Sequence, residues 1–107
     1  MRLVREADLK IVTVDGDRGQ VRIKDVVADE NFVFGLRETG PNCLVPKKPH
    51  KHRLRQAMYV LEGSGTVTNG KEKMPFNKGD FILFDGNEEH YFDSNGMNLK
   101  MIEVRLP

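Results

Sequence analysis

Short apolar runs alternate with turn residues along most of the chain, and helical periodicity is hard to find. The runs are rich in Val, Ile and Phe, and residues such as Gly, Pro, Asn and Asp separate them; an Asn-Gly pair within "TNGKE" is a strong hairpin signal. This spacing predicts an all-β sandwich or barrel. The opening "MRLVREADL" is compatible with one helical turn or with an edge strand. The predicted strands are Val21–Val27, Phe32–Glu38, Gln56–Leu61, Thr66–Thr68, Phe81–Phe84, His90–Asp93 and Leu99–Leu106.

The run Gln56–Leu61 is apolar on both of its faces. Met58 and Val60 point to one face of the predicted strand, and Ala57 and Tyr59 point to the other. A strand that is apolar on both faces is usually buried on both faces. One face can line a barrel interior, and the other then needs a second sheet or a partner subunit. This pattern predicts a homodimer.

The composition is that of an ordinary soluble domain, and we expect a single domain over residues 1–107. With 17 Lys and Arg against 16 Asp and Glu, the net charge of +1 gives no general attraction to nucleic acid. Cys43 is the only cysteine, so an intramolecular disulfide is not expected. Charges interrupt the apolar pairs at the amino terminus, and no apolar run approaches the roughly 20 residues of a membrane helix. We therefore expect a cytoplasmic protein that binds neither nucleic acid nor a membrane.

The three histidines of the chain form a candidate metal site. In an extended stretch, His50 and His52 point to one face while Lys51 points to the other. His90 follows the turn "DGNEE", where an antiparallel sandwich could bring it opposite the pair. Imidazole is the commonest ligand for first-row transition metals, and three imidazoles leave coordination positions open, as a catalytic site requires. The alternative is that each histidine is an ordinary loop or core residue.

The stretch "HKHRLRQAMYVLEG" resembles the first of the two consecutive motifs of the cupin superfamily. This motif covers about residues 40–63. His50, His52 and Gly63 are in place, and Gln56 stands where the family usually has Glu.

The stretch "GDFILFDGNEEHYFDSN" resembles the second cupin motif, over about residues 79–95. Gly79 and His90 have the family spacing. Asp85 replaces the usual Pro, and Asn87 replaces the usual Gly. Together the two motifs are more specific than either motif alone.

The resemblance implies a small single-domain jelly-roll barrel of two antiparallel sheets with a metal inside. It also implies that His50, His52, His90 and Gln56 are the metal ligands. The amide oxygen of glutamine coordinates more weakly than a carboxylate and cannot act as a general base. The alternative is that Gln56 hydrogen-bonds nearby without touching the metal. Such a site takes one divalent transition metal, and Mn, Fe, Co, Ni, Cu and Zn all fit it.

The pattern "HxHxxxQ" followed by "YVLxG" is similar to that of the uronate-linearising, pectin-degradation cupins. This similarity implies a metal-dependent isomerase or lyase that acts on a small carboxylated sugar or a similar small molecule. One alternative is an Fe(II) cupin dioxygenase, whose open positions would take substrate and oxygen. Another is a non-catalytic cupin that binds or senses a small molecule, because the fold does not fix the function.

A general acid or base has to come from outside the predicted ligands. Glu103 shares its strand parity with the predicted core position Met101, and a buried carboxylate there could exchange protons near neutrality. We therefore take Glu103 as the candidate catalytic residue; the alternative is a solvent-facing side chain paired with Arg105. Glu62 and Tyr59 are weighed for the same role, but their positions fit structural roles better.

Five Lys or Arg residues lie within residues 47–55. Lys47, Lys48 and Arg55 are candidates for attracting an anionic small-molecule ligand, whereas Lys51 should point away from the metal. The alternative is a solvated basic loop.

Overall fold

Ten β-strands and one short helical turn form the regular structure of the chain. The computed structural model describes all 107 residues. The turn is a 3-10 helix at Glu6–Asp8, and no helix of the chain has the length and hydropathy needed to cross a membrane. The strands are β1 (Ile11–Asp15), β2 (Gln20–Ala28), β3 (Val33–Thr39), β4 (Leu44–Val45), β5 (Arg55–Glu62), β6 (Ser64–Thr68), β7 (Lys73–Asn77), β8 (Phe81–Phe84), β9 (Tyr91–Asp93) and β10 (Leu99–Leu106).

The strands form two antiparallel sheets that enclose the core. One sheet has six strands in the order β1-β2-β3-β10-β5-β8, and the other has four in the order β4-β9-β6-β7. Met58, Val60 and Met101 of the larger sheet are at most 2% exposed, and Phe76 and Phe92 of the smaller sheet pack into the same cluster. The predicted all-β class is confirmed, and the two sheets form a jelly-roll barrel.

All seven predicted strands are present, with ends that differ by at most two residues. Three further strands carry too weak an apolar pattern to be recognised from the sequence. Every residue of β1 is exposed, β4 has only two residues, and Phe76 is the only buried residue of β7. At the amino terminus, the helical turn is the alternative that the structure contains.

Two residues in the left-handed conformation shape turns at opposite ends of β5. Gly63 joins β5 to β6 with a φ of +89°, and a Cβ there would clash with the carbonyl oxygen of Asn98. Asn87, which replaces the usual motif glycine, has a φ of +62°, a conformation that asparagine tolerates. Its backbone N–H donates a hydrogen bond to the carbonyl of His52 at 2.6 Å. This bond ties the histidine-bearing loop to the β8–β9 turn.

The outer face of the six-stranded sheet keeps an apolar surface that no other part of the chain covers. Phe81 and Leu83 of β8 are each 75% exposed. Tyr59 of the neighbouring β5 packs against Phe81, with ring centroids 4.7 Å apart, and remains partly exposed. The outward side of β5 is therefore only half-buried in the single chain, and its burial by a partner subunit stays a prediction.

Negative charge introduced on this outer face should prevent a second copy of the chain from binding there. We expect the double variant Phe81→Glu, Leu83→Glu to sediment as a monomer in analytical ultracentrifugation, at concentrations where the wild type is a dimer, because the interface would bury two unpaired carboxylates. Met74→Glu is the control, since Met74 is 55% exposed on the other sheet. A monomeric wild type, or a double variant that stays dimeric, contradicts the prediction.

Candidate metal centre

Three histidines and a glutamine converge at one end of the space between the sheets. His50 and His52 lie in the loop that joins β4 to β5, and Gln56 is the second residue of β5 in the larger sheet. His90 immediately precedes β9 of the smaller sheet. The three imidazoles offer one ligand atom each, and these atoms lie within 4.8 Å of one another. The structure thus brings together the histidines that the sequence analysis selects.

The loop that carries the first two histidines has no regular secondary structure at residues 50–52. Lys51 between them is exposed, as expected of a side chain that points away from the site. The backbone N–H of His50 donates a hydrogen bond to the Tyr91 hydroxyl at 3.1 Å. That hydroxyl in turn donates to the Glu89 carboxylate at 3.1 Å. These bonds anchor the loop to the start of β9.

Backbone carbonyls fix the tautomers of two of the imidazoles. His52 Nδ1 lies 3.0 Å from the carbonyl oxygen of Leu54, and His90 Nδ1 lies 3.0 Å from that of Glu88. A carbonyl only accepts hydrogen bonds, so each Nδ1 carries the proton. In the neutral form of each ring, Nε2 is then an unprotonated lone pair, which is the form that a metal binds.

The lone pairs in the site lack hydrogen-bond donors within the protein. His90 Nε2 is buried without any partner. His52 Nε2 lies 2.8 Å from Gln56 Oε1, which is also an acceptor, because the Gln56 amide group donates to Met58 Sδ at 3.1 Å. Neutral imidazole and amide therefore turn their acceptors toward the same space. A cation in that space would satisfy them all.

The distances fit a transition-metal ion. With metal–ligand bonds of about 2.1 Å, two ligand atoms of one ion lie at most about 4.2 Å apart. The widest imidazole separation, 4.8 Å, needs an inward movement of only a fraction of an ångström. The 2.8 Å between His52 Nε2 and Gln56 Oε1 already suits two neighbouring ligands.

Burial keeps the imidazoles neutral. Desolvation, together with the charges of His90 and His52, lowers the pKa of His50 to about 4. Desolvation also lowers the pKa of His90 to about 4, against the opposing effect of its hydrogen bond to the Glu88 carbonyl. Both rings are therefore neutral at neutral pH, so a metal ion would not have to displace a proton from the ring nitrogen that binds it.

A cavity of about 240 Å³ extends from the histidines into the barrel. His50, Gln56 and His90 are among its lining residues. The other polar side chains in the lining are Asp15, Arg37, Thr39, Lys47, Glu103 and Arg105. The apolar side chains in the lining are Val14, Val21, Ile23, Val45, Phe92 and Met101, together with Pro46.

Glu103 lies inside the barrel and is 4% exposed, as its parity predicts. Its Oε2 accepts a hydrogen bond from Arg37 Nη2 at 2.8 Å and lies 2.7 Å from Arg105 Nε. Both guanidinium groups thus contact the same carboxylate oxygen of Glu103. Its catalytic role stays a prediction. Tyr59, on the outer face, and the exposed Glu62 do not line the cavity.

Of the basic segment, only Lys47 lines the cavity. Lys48 Nζ instead lies 5.0 Å from the centre of the Tyr91 ring. Arg55 donates to the carbonyl of Pro107 at 2.9 Å. Closeness in sequence to the histidines is therefore a poor guide to the cations of the cavity.

Arg37 and Arg105 are the cavity cations that the sequence analysis does not select. Arg105 shares the parity of Glu103 and Met101 on β10, so the inward alternation of that strand is the signal that could have identified it. Arg37 is 6% exposed and lies opposite Met101 on β3.

A family model described as a cupin domain matches residues 39–105, which is more than half of the chain. The chain is a cupin. The match includes both histidine-bearing segments, Gln56 and most of β10.

Curated and solved relatives of this cupin include enzymes. L-ectoine synthase from Mycobacterium sp. (strain KMS) is 33% identical over 85 residues, which cover 72% of this chain and 66% of that protein, slightly under two thirds of its length. A predicted oxalate decarboxylase from Thermotoga maritima has a TM-score of 0.82 at 20% identity, with 98% of each chain covered. The polyketide cyclase RemF from Streptomyces resistomycificus has a TM-score of 0.80 at 23% identity, with 98% of this cupin and 78% of its own chain covered. At these identities, the structural likenesses establish the fold alone.

The three histidines should each be needed for metal. We expect His50→Ala, His52→Ala and His90→Ala each to lose most of the bound metal and keep the fold, because each removes one of three nitrogen ligands. Metal content per chain is measured by mass spectrometry, and circular dichroism reports the fold. Arg55→Ala is the control, since Arg55 only contacts the terminal carbonyl. Unchanged metal content in any of the three histidine variants contradicts the assignment.

Gln56 should tune the affinity rather than determine it. We expect Gln56→Ala to weaken metal binding less than the histidine variants do. Gln56→Glu should strengthen it by roughly tenfold or more, because a carboxylate adds a full negative charge beside the dication. Competition with a chelator of known affinity measures both changes. Equal affinities for wild type and Gln56→Glu would show that this side chain does not contact the ion.

Proposed function

We propose that this cupin is a metal-dependent enzyme that acts as an isomerase or lyase on a small carboxylated molecule. The observation that carries the proposal is a cluster of imidazoles, neutral at His50 and His90, at the wall of a cavity that also contains arginines. A structural metal site usually surrounds its ion with four protein ligands. This cluster has three imidazoles and one weaker amide oxygen, and it adjoins a space of about 240 Å³, which suits a small substrate.

His50, His52 and His90 would hold the ion, with the Gln56 oxygen beside it. A bound divalent ion supplies a Lewis acid that polarises a carbonyl or carboxylate oxygen of the substrate. The ligands are all neutral, so they leave its positive charge undiminished. Gln56 cannot accept a proton as a base, and Glu103 is the proposed proton-transfer group because it is the buried carboxylate of the cavity.

The relatives support an enzymatic role over a purely binding one. An ectoine synthase, a predicted oxalate decarboxylase and a polyketide cyclase are all named for reactions of small organic molecules. Oxalate is itself a small carboxylate, which is the substrate class proposed here. The sugar acids implied by the motif similarity are members of the same class.

Turnover should need the charge of the ion but neither redox chemistry nor oxygen. We expect protein loaded with Zn²⁺, which is redox-inactive, to convert at least one member of a panel of small carboxylic acids under anaerobic conditions, as followed by NMR. His52→Ala should lose nearly all of this activity, and Arg55→Gln should keep it.

The outcomes separate the three candidate functions. Turnover that consumes oxygen and requires iron would replace the proposal with a dioxygenase. Carboxylate binding without conversion of any panel member would favour the binding module. A protein that takes up no divalent metal would overturn both enzymatic functions.

A further inference from the structure

The guanidinium of Arg105 lies in the cavity, and the protein uses its charge but not its hydrogen-bond donors. Its Nε lies 2.7 Å from Glu103 Oε2, yet the N–H is not directed for a hydrogen bond, so Nε remains a buried donor without a partner. The terminal nitrogens of Arg105 have no protein acceptor either. Glu103 thus holds the guanidinium in place by charge and leaves its N–H groups available to a ligand.

This guanidinium lies beside the candidate metal ligands. Arg105 of β10 is the cross-strand partner of Gln56 on β5, so the two side chains lie next to each other on the inner face. Arg105, His50 and His90 all line the same cavity. A ligand at the ion would therefore lie within reach of the guanidinium.

The charges of the surrounding residues cancel. Arg37 donates to Asp25 at 2.6 Å and to Glu103 at 2.8 Å, and Arg105 lies against the same Glu103 oxygen. Two guanidinium groups and two carboxylates leave no net charge. Since imidazole and amide ligands are neutral, the charge of a divalent ion would have no counterion in the protein. An anionic ligand would supply it.

The rest of the cavity favours a compact apolar body over a sugar. Val21, Val45, Phe92 and Met101 are buried apolar side chains of its lining. Thr39 offers the only uncharged hydroxyl among its lining residues. Arg37 and Glu103 are already paired with each other, and Asp15 and Lys47 are exposed, so a polyhydroxylated ligand would find few free hydrogen-bond partners in the buried part of the cavity.

We propose that Arg105 is the carboxylate-recognition residue of this cavity, and that the ligand is a small monocarboxylate with a compact, mainly apolar body. The inference rests on the proposed metal-dependent function and narrows its substrate class. The ligand carboxylate would accept hydrogen bonds from the terminal nitrogens of Arg105, beside the ion. Glu103 would act in binding as a positioning residue that holds Arg105 in place.

Titration calorimetry with 3-methylbutanoate tests the inference on protein loaded with Zn²⁺. We expect Arg105→Gln to weaken binding about tenfold or more, because it removes charge-assisted hydrogen bonds. Arg105→Lys keeps the charge without the planar fork and should fall between Arg105→Gln and the wild type. Arg55→Gln, on the outer side of β5, should bind like the wild type. Metal content and thermal unfolding are measured on every variant.

Two further probes test the chemistry of the ligand. The neutral analogue 3-methylbutanamide should bind the wild type more weakly than the acid does and should not respond to Arg105→Gln. Gluconate, a polyhydroxylated acid, should bind the wild type more weakly than 3-methylbutanoate. The comparisons of the acid with the amide and with gluconate on the wild type test the inference even if Arg105→Gln fails to fold.

The failure of this inference and the failure of the proposed function give different results. Full metal content with wild-type affinity in Arg105→Gln overturns the role of Arg105 and leaves metal-dependent catalysis standing. Tighter binding of gluconate overturns the substrate class, and so does the absence of 3-methylbutanoate binding at millimolar concentrations. A protein without metal that still binds 3-methylbutanoate through Arg105 supports this inference while the proposed function falls.

Discussion

The candidate site depends on the register in which β10 pairs with β5. This register sets Arg105 opposite Gln56 and Glu103 opposite Met58, all on the inner face of the barrel. Successive side chains of a strand point to opposite faces, so a slip of one residue would turn the charged pair outward. Burial of Met58 and Met101 on the same face holds the strands against such a slip. The packing of the core thereby also fixes the cavity chemistry.

Stability alone does not explain the charges inside this barrel. Arg37 and Glu103 are 6% and 4% exposed, and buried ion pairs are often no more stabilising than apolar side chains of similar volume. The backbones of β2 and β3 also approach closely at this point, since a Cβ on Gly35 would clash with the Lys24 carbonyl oxygen and with the Asp25 carboxylate that pairs with Arg37. A barrel that needed only a core could fill this space with aliphatic residues. The charged group is better explained by a ligand that it helps to bind.

The sequence predicts those parts of the fold that depend on local alternation. Strands such as β3 and β10 are recognised because their apolar runs lie between turn residues, although β3 buries Arg37 and exposes Phe34. The fully exposed β1 is defined only by its pairing with β2. Its pairing partner cannot be read from its own residues. The edges of the sheets were therefore the part of the fold that sequence reasoning missed.

The site shows the same division. Motif spacing predicts that His50, His52 and His90 lie together, and the structure adds the hydrogen bonds of the Nδ1 atoms of His52 and His90 and the unpartnered Nε2 of His90. Arg55 is a candidate cation because it is near the histidines in sequence. On β5, however, it lies on the face opposite to the buried Gln56 and Met58, so it points outward. Arg105 is distant in sequence and enters the cavity through pairing across strands. The pattern of one sequence indicates which residues of a strand share a face, but it says little about which residues of the neighbouring strand lie opposite them.

The glutamine at position 56 has a consequence for its cross-strand neighbour as well as for the metal. A carboxylate here would lie beside the Arg105 guanidinium and could pair with it, using donors that are now unpartnered. The neutral amide instead donates to Met58 Sδ and turns its oxygen toward His52 Nε2. One substitution relative to the usual motif thus leaves two positive centres available, the ion and the arginine. Both would be free to act on the same anionic ligand.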